Sequence, residues 1–167
     1  LDWDNSGKYL AVADNDGQVI IYNSEGNFIR KFQNDINSSK SITAIDWHPY
    51  KNILVTVSDK IRIFSDEGKL FKEIKHREED ILLLSVAWHK SGNFFVTGDY
   101  GYDNYKSLLQ YWDENGNLLL SNDISKGEYR NLSWNPKGDL LATASDALRI
   151  WDKNENLISE GNFKDFL

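Results

Sequence analysis

Residues 86–98, "VAWHKSGNFFVTG", contain the pattern that decides the fold of this chain. A tryptophan is followed by a short polar turn and then by a run of apolar and β-branched residues, which is typical of two strands joined by a turn. The pattern occurs three more times, as "LDWDNSGKYLAVA" at 1–13, "IDWHPYKNILVTV" at 45–57 and "LSWNPKGDLLATA" at 132–144. Equivalent tryptophans are 44, 41 and 46 residues apart, so the 167 residues are built from an internal repeat.

A second aromatic anchor follows in each repeat, and the four anchors are Tyr22, Phe64, Trp112 and Trp151. Three repeats place a glycine four residues after the anchor, where a tight turn requires positive φ, and the fourth has Glu155 there. Each repeat contains four short apolar runs bounded by Asn, Asp, Gly and Ser, which indicates strands. The sequence therefore predicts an all-β propeller segment with four blades of four antiparallel strands, at about 1–36, 37–77, 78–123 and 124–167.

The endings "LQYWDENG" at 109–116 and "LRIWDKN" at 148–154 resemble the Trp-Asp ending of the WD-repeat family. Residues 87–98, "AWHKSGNFFVTG", resemble the strand, turn and strand that precede it, and the resemblance covers essentially the whole chain. It implies a rigid, non-catalytic scaffold that presents its loops to a protein or peptide partner. Only Asp113 and Asp152 keep the aspartate after the anchor, and the usual Gly-His pair survives at best as Lys75-His76. The resemblance therefore implies an incomplete version of the family's side-chain network of His, Ser or Thr, Asp and Trp.

The phase of the repeats bears on how the propeller closes. Residue 1 falls inside the first strand of a blade, and four open blades would leave unpaired edges that invite association. Propellers close with about four to eight blades. We therefore expect a ring of about seven or eight blades, closed by covalent continuation of the chain or by head-to-tail association.

Composition restricts the classes of function. A net charge of −7 and a pI near 4.9 argue against nucleic acid as a partner, because phosphate binding needs clustered Lys and Arg. No apolar run approaches the roughly 18 residues of a membrane span, so a soluble chain without membrane insertion is expected. The absence of cysteine removes thiol nucleophiles and zinc-thiolate sites, and fits an oxidising or a reducing compartment equally well.

Enzyme motifs are missing from the sequence. There is no GxSxG motif and no glycine-rich phosphate loop, so we expect neither catalytic activity nor a cofactor. His48 and His89 follow equivalent tryptophans, and this periodic recurrence favours a structural role in the turns over a metal site. The alternative function for the chain is a propeller enzyme or small-ligand binder with its site at the mouth of the central channel.

One connection is longer than its counterparts. The first-strand tryptophan and the aromatic anchor are separated by 19, 17, 24 and 17 residues in the four repeats, and the extra residues of the third are "DYGYDNY" at 99–105. In the WD-repeat arrangement this loop lies on the same face as the connections between blades, including "KHREEDI" at 75–81. Tyrosines contribute large contact area at low entropic cost, and aspartates accept hydrogen bonds from a basic or hydroxyl-bearing partner. The candidate partner-binding residues are Asp99, Tyr100, Tyr102, Asp103 and Tyr105, with His76, Arg77 and Glu79 as neighbours.

Both segments have a structural alternative. The tyrosines of the inserted loop would then pack over the neighbouring blade, and Gly101 would only permit the turn. The charged run at 75–81 would be a solvated linker between two blades.

Overall fold

The computed structural model describes residues 1–78, 80–101 and 105–161, and all regular structure in these ranges is β-strand. The first sheet, blade 1, contains β1 (Asp2–Trp3), β2 (Tyr9–Ala13), β3 (Gln18–Asn23) and β4 (Phe28–Gln33). Blade 2 contains β5 (Ala44–Trp47), β6 (Ile53–Val57), β7 (Ile61–Ser65) and β8 (Leu70–Ile74). Blade 3 contains β9 (Leu83–Trp88), β10 (Phe94–Asp99), β11 (Leu109–Asp113) and β12 (Leu118–Asn122). Blade 4 contains β13 (Asn131–Trp134), β14 (Leu140–Ala144), β15 (Leu148–Asp152) and β16 (Leu157–Gly161).

Within each blade the strands are antiparallel and pair in chain order, which confirms the predicted fold class. The register between the third and fourth strands shifts at the anchor aromatic in every blade, for example between Ile63 and Phe64. The turn that follows contains a residue with positive φ at the same place each time. This residue is Gly26 (83°), Gly68 (87°), Gly116 (72°) or Glu155 (70°).

The hydrophobic core lies between the blades. Successive side chains of a strand point to opposite faces of its sheet, so Leu54 of β6 packs toward blade 1 while Val55 packs toward blade 3. Three buried clusters result, one for each pair of adjacent blades, and we call them seams. Trp47 and Trp88 are buried in two of the seams, whereas Trp3 is 46% exposed because no described blade covers that face of blade 1.

Two histidines bridge adjacent blades at the end that carries the β1–β2 and equivalent turns. The Nε2 of His48 donates to the carbonyl of Gly92 at 3.0 Å, and its Nδ1 accepts from the backbone N–H groups of Tyr50 and Lys51. His89 lies 2.6 Å from the carbonyl of Gly138 in the same way. Burial lowers the pKa of His48. Each ring therefore spans one seam through a polar contact with a backbone carbonyl, and at these two sites the geometry is that of a turn.

Candidate functional site

The inserted loop and the connection between blades 2 and 3 meet at one end of the blades, which we call the loop face. The backbone N–H of Tyr100 donates to the carbonyl of Leu82 at 2.8 Å, and the Nη1 of Arg77 donates to the carbonyl of Lys106 at 3.2 Å. The loop face is thus formed by the ends of β10 and β11 together with the chain that enters β9.

Asp99 is the centre of the site and is completely buried. Its Oδ2 accepts a hydrogen bond from the Nη1 of Arg77 at 2.8 Å, and its Oδ1 accepts one from the backbone N–H of Leu108 at 2.7 Å. Its own carbonyl accepts from the N–H of Tyr129 in the chain entering blade 4. The hydrogen bond from the guanidinium of Arg77 to the carboxylate of Asp99 is charge-assisted, and bonds of this kind are short and strong. Asp99 therefore fixes both ends of the inserted loop.

His76 is also an interior residue, only 5% exposed. Its Nε2 lies 3.6 Å from the Oδ2 of Asp99, and its carbonyl accepts from the Nε2 of Gln110 at 3.1 Å. Asp99 and His76 were both predicted to contact a partner. Their burial leaves neither side chain accessible for direct contact, so the role open to them is support of the loop.

Among the described residues of the inserted loop, two tyrosines are accessible. Tyr100 is 38% exposed and Tyr105 is 48% exposed. The guanidinium of Arg77 lies 5.5 Å from the centre of the Tyr105 ring, within the range of a cation–π contact. The hydroxyl of Ser107 donates to the carbonyl of Tyr100 at 3.1 Å, which closes the base of the loop.

Gly101 also restricts the loop, because its φ of 52° is one that side chains rarely adopt. A Cβ at this position would lie 2.3 Å from the hydroxyl of Ser107. The accessible tyrosines are therefore held on a tightly packed base. Tyr102, Asp103 and Glu79 lie outside the described residues, and their part in binding stays a prediction.

Exposed carboxylates lie in the connection between blades 2 and 3. The side chains of Glu78 and Asp80 are 94% and 89% exposed. Glu78 pairs with Lys75 at 3.0 Å, and such an exposed pair contributes little to stability. The carboxylate of Asp80 lies 4.0 Å from the Nζ of Lys40. The loop face thus carries exposed carboxylates as well as accessible aromatic rings.

An arginine-centred network that the sequence did not predict recurs on the same face. Arg62 is buried and pairs with three carboxylates, those of Asp35, Asp59 and Glu73. Burial alone would raise the pKa of Asp59. Hydrogen bonds from Ser58, Lys40 and Arg62 outweigh this effect and lower that pKa to about 2. Blade 4 repeats the arrangement with Arg149, Asp146 and Glu160.

Register explains how this network relates to the site. Arg62, Gln110 and Arg149 pair with Thr56, Thr97 and Thr143 of the neighbouring strand in their blades. They are therefore equivalent positions, and blade 3 has a neutral amide where blades 2 and 4 have arginine. Arg77 supplies the positive charge to Asp99 from the connection instead. Alignment of the anchors places Arg62, Gln110 and Arg149 at equivalent positions. Their residue types alone give no sign that they are buried.

Part of the WD-type network is present as well. The indole Nε1 of Trp112 donates to the hydroxyl of Thr97 at 2.9 Å, and that of Trp151 donates to Thr143 at 3.0 Å. Blade 2 has Phe64 at the anchor, and the hydroxyl of its Thr56 donates instead to the amide oxygen of Asn34 at 2.5 Å. The bond from tryptophan to threonine is thus present in blades 3 and 4, and in blade 2, where the anchor is Phe64, the threonine hydroxyl donates to Asn34 instead.

Two kinds of feature are absent from the described parts of the chain. Among those residues, no group of three or more His, Cys, Asp or Glu side chains is arranged to hold a metal ion. The same residues include no helix that is long and apolar enough to cross a membrane.

Comparison with known proteins identifies the family of this chain. The family model for the eukaryotic translation initiation factor eIF2A matches residues 1–167. WD repeat-containing protein WRAP73 of Mus musculus is 28% identical over 108 residues, which is 60% of this chain and 23% of that protein. The human F-box-like/WD repeat-containing protein TBL1X is 27% identical over 154 residues, which is 82% of this chain and 25% of that protein. The chain thus spans about a quarter of the length of these relatives.

A solved structure shows the same fold. A chain in the crystal structure of the mitotic checkpoint complex superposes with a TM-score of 0.78 at 18% identity, covering 96% of this chain and 49% of that one. Together with the repeated anchors, the matches confirm the predicted WD-repeat propeller. The chain belongs to the eukaryotic translation initiation factor eIF2A family.

Proposed function

We propose that this chain is a non-catalytic interaction module that binds a basic segment of a protein partner through the loop face around Tyr100 and Tyr105. The observation that carries the proposal is the combination of two accessible tyrosines with a base fixed by Asp99 and Arg77. A surface that is already ordered loses little conformational entropy on binding. Tyrosine is also among the residues that dominate the energetics of protein interfaces.

The charge of the surface supports the kind of partner. Glu78 and Asp80 expose their carboxylates in the connection that also carries Arg77, so Lys or Arg side chains of a partner would find acceptors on the loop face. The family description supports a partner in the translation initiation apparatus. Net charge and composition support a protein rather than an RNA phosphate backbone as the surface that is bound.

The test begins with the identity of the partner. A photo-crosslinking phenylalanine analogue is placed at Tyr105 in the intact protein, and at Tyr50 in a matched control. Tyr50 is 69% exposed and lies in the turn between β5 and β6, at the opposite end of the blades. We expect a protein with a Lys- or Arg-rich segment to crosslink from position 105 and not from position 50. Crosslinking to RNA alone from position 105 would refute the proposal.

The affinity for that partner then measures how much the rings of Tyr100 and Tyr105 contribute to binding. Replacing Tyr100 and Tyr105 together by alanine is expected to weaken binding at least about tenfold, because each truncation removes a hot-spot aromatic. Tyr50→Ala is expected to leave the dissociation constant within about twofold. Circular dichroism and thermal unfolding check that both variants stay folded. Equal affinity of the double variant and the wild type would show that the tyrosines do not form the site.

A further inference from the structure

The outermost strand of each blade is an edge strand, and β12 differs from the other three. Leu118, Leu119 and Leu120 of β12 are 49%, 56% and 40% exposed. The strand reads "LLLSN" and carries no charged residue. The equivalent strands each include charge, with Arg30 and Lys31 in β4, Lys72 and Glu73 in β8, and Glu160 in β16.

Charged side chains on an edge strand normally prevent other chains from pairing with it. Among the described strands β12 pairs with β11 alone, so its other edge presents backbone N–H and C=O groups. Leu119 is the extra residue where the register with β11 shifts, and the regular strand pattern runs from Leu120 to Asn122. Three neighbouring leucines, each at least 40% exposed, add apolar area along that edge. A ligand that satisfies both the backbone and the leucines is itself an extended strand with apolar side chains.

The charge at the two ends of β12 distinguishes between occupants. Asp113 and Glu114 precede the strand, and Asp123 follows it. Glu114 pairs with Lys51 and Asp123 pairs with Lys106, but all four of these side chains are at least 38% exposed, so the pairs screen the carboxylates weakly.

A second copy of β12 is a poor match for this edge. In either orientation it would bring carboxylates opposite carboxylates at both ends, and like charges directly opposite each other destabilise strand pairing. A strand flanked by Lys or Arg would bring opposite charges together at both ends instead.

We infer that the outer edge of β12 binds an extended segment of a partner protein, apolar at its centre and flanked by Lys or Arg, as a fifth strand of blade 3. The strand edge is distinct from the tyrosines of the loop face and meets that face at Asp123, which pairs with Lys106, and the inference goes beyond the proposed function. Backbone pairing supplies the orientation, the leucines supply apolar burial, and the flanking carboxylates select a basic segment.

The probe for the test is a fluorescein-labelled peptide, KKVTVTVKK, titrated with the intact protein and followed by fluorescence anisotropy. We expect saturable binding, and a loss of affinity of at least about tenfold in Leu119→Lys, because a lysine on the edge opposes a cationic strand. Phe71→Lys is the matched control. Phe71 is at the equivalent place in β8, is 53% exposed, and its replacement adds the same charge. We expect this control to bind within about twofold of the wild type.

Two further peptides separate strand addition from simple attraction. The peptide KKVTPTVKK removes a central backbone donor and is expected to lose binding, while EEVTVTVEE is expected to bind more weakly than the basic peptide. Absence of binding, equal losses in Leu119→Lys and Phe71→Lys, or undiminished binding of the proline peptide would each overturn the inference. A wild-type protein that dimerises in sedimentation while Leu119→Lys stays monomeric would identify a second copy as the occupant and overturn it as well.

The outcome is independent of the loop face. Replacement of Tyr100 and Tyr105 by alanine is expected to leave the affinity for KKVTVTVKK unchanged, because the tyrosines and β12 lie on different parts of blade 3. Failure of the peptide to bind therefore refutes the β12 site without bearing on the tyrosines, and the reverse holds for the crosslinking experiment.

Discussion

Glu155 occupies the turn position in blade 4 that glycine holds in the other three blades. Its φ of 70° lies in the left-handed region, where a side chain is strained by about 1 to 2 kcal/mol. Its carboxyl group is in an unfavourable place too, since burial and the nearby Asp152 raise its pKa. Two separate destabilising effects, one from the backbone and one from charge, therefore meet at a single residue.

Substitution at this position separates the two effects. Glu155→Ala relieves the charge and keeps the strain, whereas Glu155→Gly relieves both. We expect the glycine variant to have a free energy of unfolding about 1 kcal/mol higher than the alanine variant, measured by urea denaturation at pH 7. The reverse change at an equivalent turn, Gly68→Ala, should destabilise the protein, because a Cβ there would lie 2.6 Å from the ring of Phe32. Equal stability of the Glu155→Gly and Glu155→Ala variants would contradict a strained backbone.

At the scale of a single blade, the arginine networks join neighbouring strands and connections through ion pairs. Arg62 is 1% exposed in its side chain and lies within 3.2 Å of three carboxylates. One of them, Asp35, comes from the connection that leads out of blade 1, so the network also fixes the entry to blade 2. A buried charge is tolerated only when it is paired, and removal of one partner leaves the others uncompensated.

Removal of Arg62 is therefore expected to be strongly destabilising. Arg62→Met preserves apolar volume but leaves three carboxylates without their common partner, and we expect a loss of about 3 to 5 kcal/mol in the free energy of unfolding. Lys60→Met is the control, since Lys60 is about one-third exposed, pairs only with Glu73 among these carboxylates, and is expected to contribute under about 1 kcal/mol. Similar losses in the two variants would argue against a central role for Arg62.

The elements of this fold could be predicted and the networks could not. Repetition of the tryptophan and of the second aromatic gives the strands and their order, because each anchor sets the same alternation in every blade. Burial of Arg62 and Asp99 depends on partners 27 and 22 residues away along the chain, and a single charged residue carries no sign of such a partner. Sequence therefore located the inserted loop, while structure was needed to divide its residues into accessible tyrosines and an interior carboxylate.

At the scale of the whole molecule, stability depends on the seams. His48 spans the seam between blades 2 and 3, with its Nε2–H bonded to the carbonyl of Gly92 and its ring packed 4.7 Å from that of Trp88. Its Nδ1 already accepts two backbone N–H groups, so a second ring proton would displace them. The seam thus requires the neutral imidazole.

The pH dependence of stability follows from this requirement. Because the folded-state pKa of His48 lies below its ordinary value of 6.5, its contribution is present above the unfolded-state pKa and is lost progressively as the pH falls from that value through the lower folded-state pKa. We expect the free energy of unfolding to decrease between pH 7 and pH 5.5, and to decrease less in His48→Asn, which places at this turn the residue that blade 4 has at position 135. Chemical denaturation across this range gives the two slopes, and identical slopes would exclude His48 as the titrating group.

Placement of the core between blades has a consequence for inheritance. None of the described blades has a complete hydrophobic core of its own, so the unit that repeats is one sheet together with one seam. Duplication of a blade adds a contact of the kind already present on either side of it. Lineages can therefore lengthen or shorten such an array by whole blades, while a fractional insertion is confined to connections such as the one that follows β10.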